Sequence, residues 1–346
     1  MFVDLTLPAQ TAYAQLVESL LSASLTRCVA NVPGSFATKT VKKTKYWYYQ
    51  FRLLDGSLKQ VYLGPHTEQL ARLIAERELK STVVANTEQQ TTALARHCLA
   101  LGCDGFLPLH LKIVNKLSDE GFFSAGGLLI GTHAYLAAGN MLGVTWGSSE
   151  RTQDIDFAHA GKSVSLALPA NAEFNLHAAI DSLAMGFTPA SSLQGIRGGS
   201  WVHPTDPSFR LDFLTTMDRT ESPLVHLPAF GAEFQALRYM EFSMQGTVQA
   251  AAIARTGKPC LVNIPDPARM AIHKLIVSGL RKGAFAVKAN KDITQAAAII
   301  KFYSERSPGD IRAAYDDALN RGPNWRAALL AGSKRLSRQF PDVKIA

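Results

Sequence analysis

The 346-residue chain has four cysteines, Cys28, Cys98, Cys103 and Cys260, and they form neither a CxxC pair nor a zinc-type spacing. A disulfide framework and a zinc module are therefore excluded, and core thiols in an Ala/Leu-rich helix are the expectation for Cys98 and Cys103. The chain does not open on a basic start followed by a long apolar core, and no apolar run is long enough to cross a bilayer. No membrane role and a reducing cytoplasm are the expectation. Internal repeats and low-complexity tracts are absent. Charged residues make up 18% and hydrophobic residues 47%, which excludes a disordered chain. A dinucleotide-binding turn is missing too: Gly126-Gly-Leu-Leu-Ile-Gly131 lacks the required glycine spacing, and no ribose-binding acid follows. Acids are outnumbered by bases, giving a net charge of +8 and a pI near 9.3. That balance is compatible with nucleic acid or nucleotide partners.

The informative stretch runs from Gly126 to Phe157. Leu128 to Ile130 is a short apolar run that suits a buried strand, and Gly131-Thr132 ends it. Ala134 to Leu142 follows with good helix formers and an apolar face. A Gly-Thr joining strand to helix gathers bare N–H groups, a hydroxyl and a helix N-terminus at one spot that favours phosphate. His133, just after this turn, faces either the phosphates or the helix packing. In Asp154-Ile-Asp156, a strand would put both carboxylates on one face and Ile155 in the core. Such a pair repels itself unless a cation sits between, and oxygen-only ligands suit magnesium. Asp212, between Leu211 and Phe213, supplies a third acid in a strand-like apolar run.

Around this stretch, residues 1–30 read as an amphipathic helix, and Pro33-Gly34 breaks the chain. Lys42 to Gly64 reads as a hairpin about an Asp55-Gly56 turn. One face carries Trp47, Tyr49 and Phe51; the other carries Tyr46, Tyr48 and Arg52, which either stack bases and hold phosphates or form an ordinary sheet surface. Helices are expected from Thr67 to about Gly102, from Leu107 to Leu117 and from Phe174 to Met185, and a strand at Val164–Leu168. Gly198-Gly199 reads as a turn between strands, followed by strands at Trp201–His203 and Arg210–Thr215. A second hairpin covers 249–264. Asp266-Pro267 caps a helix to about Lys282 that carries Lys274, Ser278 and Arg281 on one face. Lys288, Lys291 and Asp292 precede a helix at Ile293–Tyr303, and helices at Asp310–Leu319 and Trp325–Phe340 end the chain. Lys282 and Lys288 read as a solvated face.

Gly131-Thr132, Asp154-x-Asp156 and Asp212 together resemble the polymerase-β-type nucleotidyltransferase superfamily. Arg151-Thr-Gln-Asp-Ile-Asp-Phe157 is similar to the strand of its bacterial abortive-infection and toxin-type branch, and Lys291-Asp292 followed by Gln295 resembles a helix start in that branch's C-terminal part, which implies a helix over the cleft in contact with the triphosphate. Thr132 stands where serine is commoner and keeps the hydroxyl. The resemblance implies an α+β fold in three parts. These are an N-terminal helix and aromatic hairpin module (1–103), a nucleotidyltransferase core of a small mixed sheet with helices (104–230), and a hairpin and helical C-terminal domain (231–346). It implies Asp154, Asp156 and Asp212 as catalytic and metal-binding acids on two magnesium ions, with an NTP as substrate. Gly131, Thr132, His133, Arg151, Lys274 and Arg281 would bind the nucleotide. An RNA acceptor, tRNA-like, is the first expectation. AMP or UMP transfer to protein, or an idle fold paired with an antitoxin or other protein partner, are the alternatives.

Overall fold

The computed structural model describes residues 1–30, 35–41, 44–52, 58–147, 152–160, 174–191, 197–217, 222–281 and 286–345. The expected break at Pro33-Gly34, the Asp55-Gly56 turn, the strand at Val164–Leu168, Arg151 and Lys282 lie outside them. In chain order the elements are β1 (Val3–Asp4), α1 (Leu7–Ala30), β2 (Ser35–Val41), β3 (Thr44–Arg52), β4 (Leu58–Pro65), α2 (Glu68–Ala100) and α3 (Pro108–Asp119). Then come β5 (Leu128–Leu129), α4 (Gly131–Leu142), β6 (Val144–Thr145), β7 (Ile155–His159), α5 (Leu176–Asp181), β8 (Thr188–Ser191), β9 (Arg197–Val202) and β10 (Arg210–Thr216). The chain continues through β11 (Leu224–Leu227), β12 (Ala232–Leu237), α6 (Met240–Ser243), β13 (Thr247–Ala252) and β14 (Cys260–Pro265). It closes with α7 (Pro267–Leu280), α8 (Ala286–Arg306), α9 (Pro308–Asn320) and α10 (Pro323–Gln339). The fold is mixed α+β.

The central sheet is built around β10. On one edge β10 runs parallel to β7, with Asp212 opposite Asp156 and Phe213 opposite Phe157. On its other edge it pairs first with β9, antiparallel, and then with β12, parallel. β5 extends the β7 side, β11 the β12 side, and β8 joins β9. Strand alternation then sorts the side chains. The rings of Phe157 and Phe213 stack at 5.1 Å between centroids, and Phe122, Trp201 and Phe234 close edge-on around them. All five rings are almost fully buried. The register that stacks the two phenylalanines thus sets Asp156 beside Asp212 on the opposite face. Burial of such rings contributes on the order of 1.5–3 kcal/mol each, ample to hold two like charges in neighbouring positions.

Four expectations change here. Gly198 and Gly199 lie within β9, not in a turn between strands. They run close over β12, where a side chain on Gly199 would press on Gln235. The central sheet also extends past residue 230, because β12 joins it beyond the expected end of the core. The helix at 174–185 is shortened to α5, and α8 begins upstream of Lys288, so Lys288, Lys291 and Asp292 are helical.

The β13–β14 hairpin packs on β5 and α4, and α1 lies across it. The Tyr13 hydroxyl fastens this contact, donating to the Ala251 carbonyl (3.1 Å) and accepting from the Ala251 N–H (2.9 Å). The Asp266 side chain caps α7 by accepting from Arg269 N–H at 2.9 Å, with Pro267 at the first helical position. α7 then packs against α8, α9 and α10 and carries its cationic face toward the sheet. The N-terminal strands form a separate three-stranded antiparallel sheet, β2-β3-β4, one strand more than the expected hairpin.

Candidate active site

The tight turn from β5 into α4 starts the site. The Ile130 N–H donates to the Asp156 carbonyl (2.9 Å), so the end of β5 is stitched to β7 at the aspartate itself. Gly131 adopts φ +66°, and a Cβ there would run into the Asp156 carboxylate. Glycine is therefore required twice, by the left-handed backbone and by the space. α4 begins at Gly131, and the N–H groups of its first turn lack intrahelical partners. Its N-terminus opens beside Asp154 and Asp156.

One carboxylate oxygen from each of Asp154, Asp156 and Asp212 lies within 4.8 Å of the others. Asp154 precedes β7 and accepts a short hydrogen bond from the Thr152 hydroxyl. Burial works against its charge, but the Thr152 hydroxyl, its own backbone N–H, Lys288 and Lys291 prevail, and its pKa lies below the usual carboxylate value. Asp156 is the reverse case. Burial first, then the charges of Asp154 and Asp212, push it up to about 7 against the pull of Lys274 and Lys288. Asp212 accepts from the Ser200 hydroxyl on β9. Three acids held this close form a hard-oxygen donor set.

A cavity of about 230 Å³ opens in front of them. Ile130, Gly131, Thr132, Asp154 and Asp156 form one wall, and α7 and α8 form the other. From α7 come His273 and Lys274, with Arg281 at its C-terminal end; from α8 come Lys288, Lys291, Asp292 and Gln295. Asp292, with its side chain 13% exposed, binds both Arg281 and Lys274, the latter at 3.5 Å. Lys274 is buried, so Asp292 fixes the direction of a cation that has little water to hold it. The His273 Nε2 is buried without a hydrogen-bond partner. Burial, reinforced by Lys274 and Arg281, lowers His273 to about 3 and keeps it neutral. The result is an acidic wall and a helix N-terminus facing a cationic wall, a geometry that accepts a polyanion bridged to the acids by a cation.

The structure brings together Gly131, Thr132, Asp154, Asp156, Asp212, Lys274 and Arg281 from the expected set. His133 does not line the cavity. It is buried in the core, its ring edge-on to Phe106 at 4.8 Å and its Nε2 2.9 Å from His110 Nδ1. The helical twist carries position 133 past the cleft and into the packing against α3. Tyr46 and Tyr48 lie on β3 in the N-terminal sheet, and Arg52 ends that strand opposite Leu58. Lys288, read from sequence as solvated, lines the cleft instead; Lys291, Asp292 and Gln295 line it on the helix start noted in the sequence, and His273 and Arg238 join them unforeseen. The spacing 288, 291, 295 on a helix was the available signal, since these positions share one face.

Residues 109–320 match the family described as nucleotidyltransferase. A crystal structure of an antigenic nucleotidyltransferase-like protein from Paracoccidioides brasiliensis is similar over 66% of this chain and 95% of that one, at 14% identity and a TM-score of 0.32. A likeness that low carries no argument of its own. No curated protein matches the chain.

Proposed function

The chain belongs to the nucleotidyltransferase family, and on that premise we propose that it moves a nucleoside monophosphate from an NTP to an acceptor hydroxyl at the cleft between the sheet and α7–α8. The observation that carries this reading is the convergence of three carboxylates within 4.8 Å beside the N-terminus of α4. Divalent metal fits these residues: the donors are hard oxygens, and one oxygen from each acid lies within 4.8 Å of the others. Asp154, Asp156 and Asp212 would hold a magnesium pair. When bound, such ions stabilise the charge that develops on the α-phosphate and the leaving pyrophosphate.

The chain's own groups supply the rest. Gly131 N–H, the Thr132 hydroxyl and the α4 N-terminus hold the β- and γ-phosphates. Lys274, Arg281, Lys288 and Lys291 neutralise the triphosphate from the opposite wall, and Asp292 holds the first two in position. Asp212, hydrogen-bonded by Ser200, helps take the proton from the acceptor hydroxyl. The acceptor is RNA in this reading, and the fold is of the polymerase-β type.

The test is incubation of the full chain with each α-labelled NTP, magnesium, total RNA and lysate protein, with Asp154→Ala and Asp212→Ala as controls. Label in RNA that both substitutions abolish is the expected result. Label in protein would move the acceptor to a side-chain hydroxyl. Transfer that survives both substitutions would overturn the assignment of the acids.

A further inference from the structure

The aromatic strands near the N-terminus are not used by the cleft chemistry. β2, β3 and β4 form an antiparallel sheet in register Lys39↔Tyr46 and Ala37↔Tyr48 on one side of β3, and Tyr48↔Tyr62 and Gln50↔Gln60 on the other. Alternation therefore collects Ser35, Lys39, Tyr46, Tyr48, Gln60 and Tyr62 on one face. Trp47 points the other way and stacks on His66 at 5.4 Å.

The collected face is open and organised. Tyr62 is 54% exposed, and its ring lies 5.9 Å from that of Tyr46 and 5.6 Å from that of Tyr48. Lys39 is exposed, with its Nζ 5.1 Å from the Tyr48 ring centre and 2.5 Å from the Gln60 side-chain oxygen. Gln60 in turn donates to Gln50 (3.0 Å), which donates to Ser35 (3.1 Å). No carboxylate among the described residues pairs with Lys39. Residues 35–65 hold six bases, Lys39, Lys42, Lys43, Lys45, Arg52 and Lys59, against one acid, Asp55. Three neighbouring tyrosine rings with a lysine over one of them, on strands with this basic excess, meet the two needs of a polynucleotide strand, stacking for bases and charge for phosphates.

We propose that the face of β2-β3-β4 bearing Tyr46, Tyr48 and Tyr62 binds a single-stranded nucleic acid, stacking bases on the tyrosines and pairing a phosphate with Lys39. It rests on the nucleotidyltransferase reading only in taking the bound strand as the acceptor. The hydrogen-bonded row Lys39–Gln60–Gln50–Ser35 runs across the three strands and keeps the platform rigid and polar between the rings. Recognition is tolerant of sequence, because every base offers a face to stack.

The experiment is fluorescence anisotropy of the full chain with a labelled single strand of roughly twenty nucleotides, longer than one such site, as RNA and as DNA, and with an RNA duplex. No NTP or metal is added. Both single strands, or RNA alone through its 2′-hydroxyl, should bind in preference to the duplex. Tyr48→Ala with Tyr62→Ala should weaken binding about tenfold or more by removing two stacking surfaces. Tyr48→Phe with Tyr62→Phe should restore it. Lys39→Gln should lower the slope of log affinity against log salt by about 0.7, as expected for one phosphate contact on a single strand. Thermal melts of each variant matching the parent exclude unfolding, as these side chains lie on the surface. Unchanged affinity in the double alanine variant, preference for the duplex, or no strand binding at all would overturn the proposal. Asp154→Ala should leave the anisotropy intact while ending transfer. Strand binding without any transfer would therefore sink the catalytic reading alone.

Discussion

Gly131→Ala separates the architecture of the cleft from the stability of the fold. Alanine at φ +66° incurs the left-handed penalty, about 1–2 kcal/mol. For a chain of this length that lowers the melting temperature by about 1–3 °C. The larger effect is local: the new methyl group occupies the place of the Asp156 carboxylate, and its neighbouring Cγ and Cβ would lie 3.1 and 3.3 Å away. Asp156 must turn out of the triad. Displacement of a reacting group by about 1 Å costs on the order of a hundredfold in rate, so transfer should fall at least that far. Gly231→Ala is the matched control, because Gly231 has φ +57° with nothing within 4 Å of an added Cβ. It carries the same backbone strain and leaves the cleft untouched. Melting by differential scanning fluorimetry and transfer of labelled nucleotide should show similar small stability losses in both variants and loss of activity in Gly131→Ala alone. Full activity in Gly131→Ala, or equal activity losses in both, would refute the reasoning.

Three further outcomes follow from the same geometry. Asp292→Asn leaves Lys274 buried without its ion-pair partner and frees Arg281, so stability without nucleotide should fall by about 1–3 kcal/mol. KM for NTP should rise more than kcat falls, and a saturating NTP should recover part of the lost melting temperature by giving the two cations a new anion; unchanged KM and melting would contradict the assigned role. Chelation with EDTA should abolish transfer, and added magnesium should restore it; activity persisting in EDTA would remove the acids from metal binding. His133 is lowered to about 3 by burial and then by His110, with Lys291 acting in the same direction and Asp154 opposing. The unfolded chain, with histidine near its usual value, therefore binds the extra proton, and the stability due to neutral His133 is lost as pH falls below about 6.5. The loss reaches about 2 kcal/mol near pH 5, and denaturant titrations of His133→Gln should show a pH dependence shallower by about one proton; equal slopes would refute it.

Much of the site was legible because its parts are local. Gly131-Thr132, the alternating Asp154-x-Asp156 and Asp212 between Leu211 and Phe213 each owe their geometry to near neighbours in sequence. The strand period of two decides which face an acid takes, and the apolar flanks decide which face is buried. Asp266-Pro267 opened α7 for the same reason, since a cap satisfies N–H groups within its own turn.

What the sequence determined by itself is thus the set of local conformations that place an acid, a glycine turn or a cap: three acids in strand-like runs, a Gly-Thr turn before a helix, aromatic strands rich in lysine. Only the tertiary structure decided which of these meet. It joined β7 and β10 in the register that sets Asp156 beside Asp212, added β12 to the sheet beyond residue 230 and turned His133 into the core against His110. It also brought Lys288 and Lys291 of α8 over the acids. Helix periodicity groups 288, 291 and 295 on one face, but whether that face meets water or a cleft depends on how α8 lies against Asp154 and Asp156, far back along the chain. Contacts of that range are set by burial of the whole core, and no window of neighbouring residues contains them.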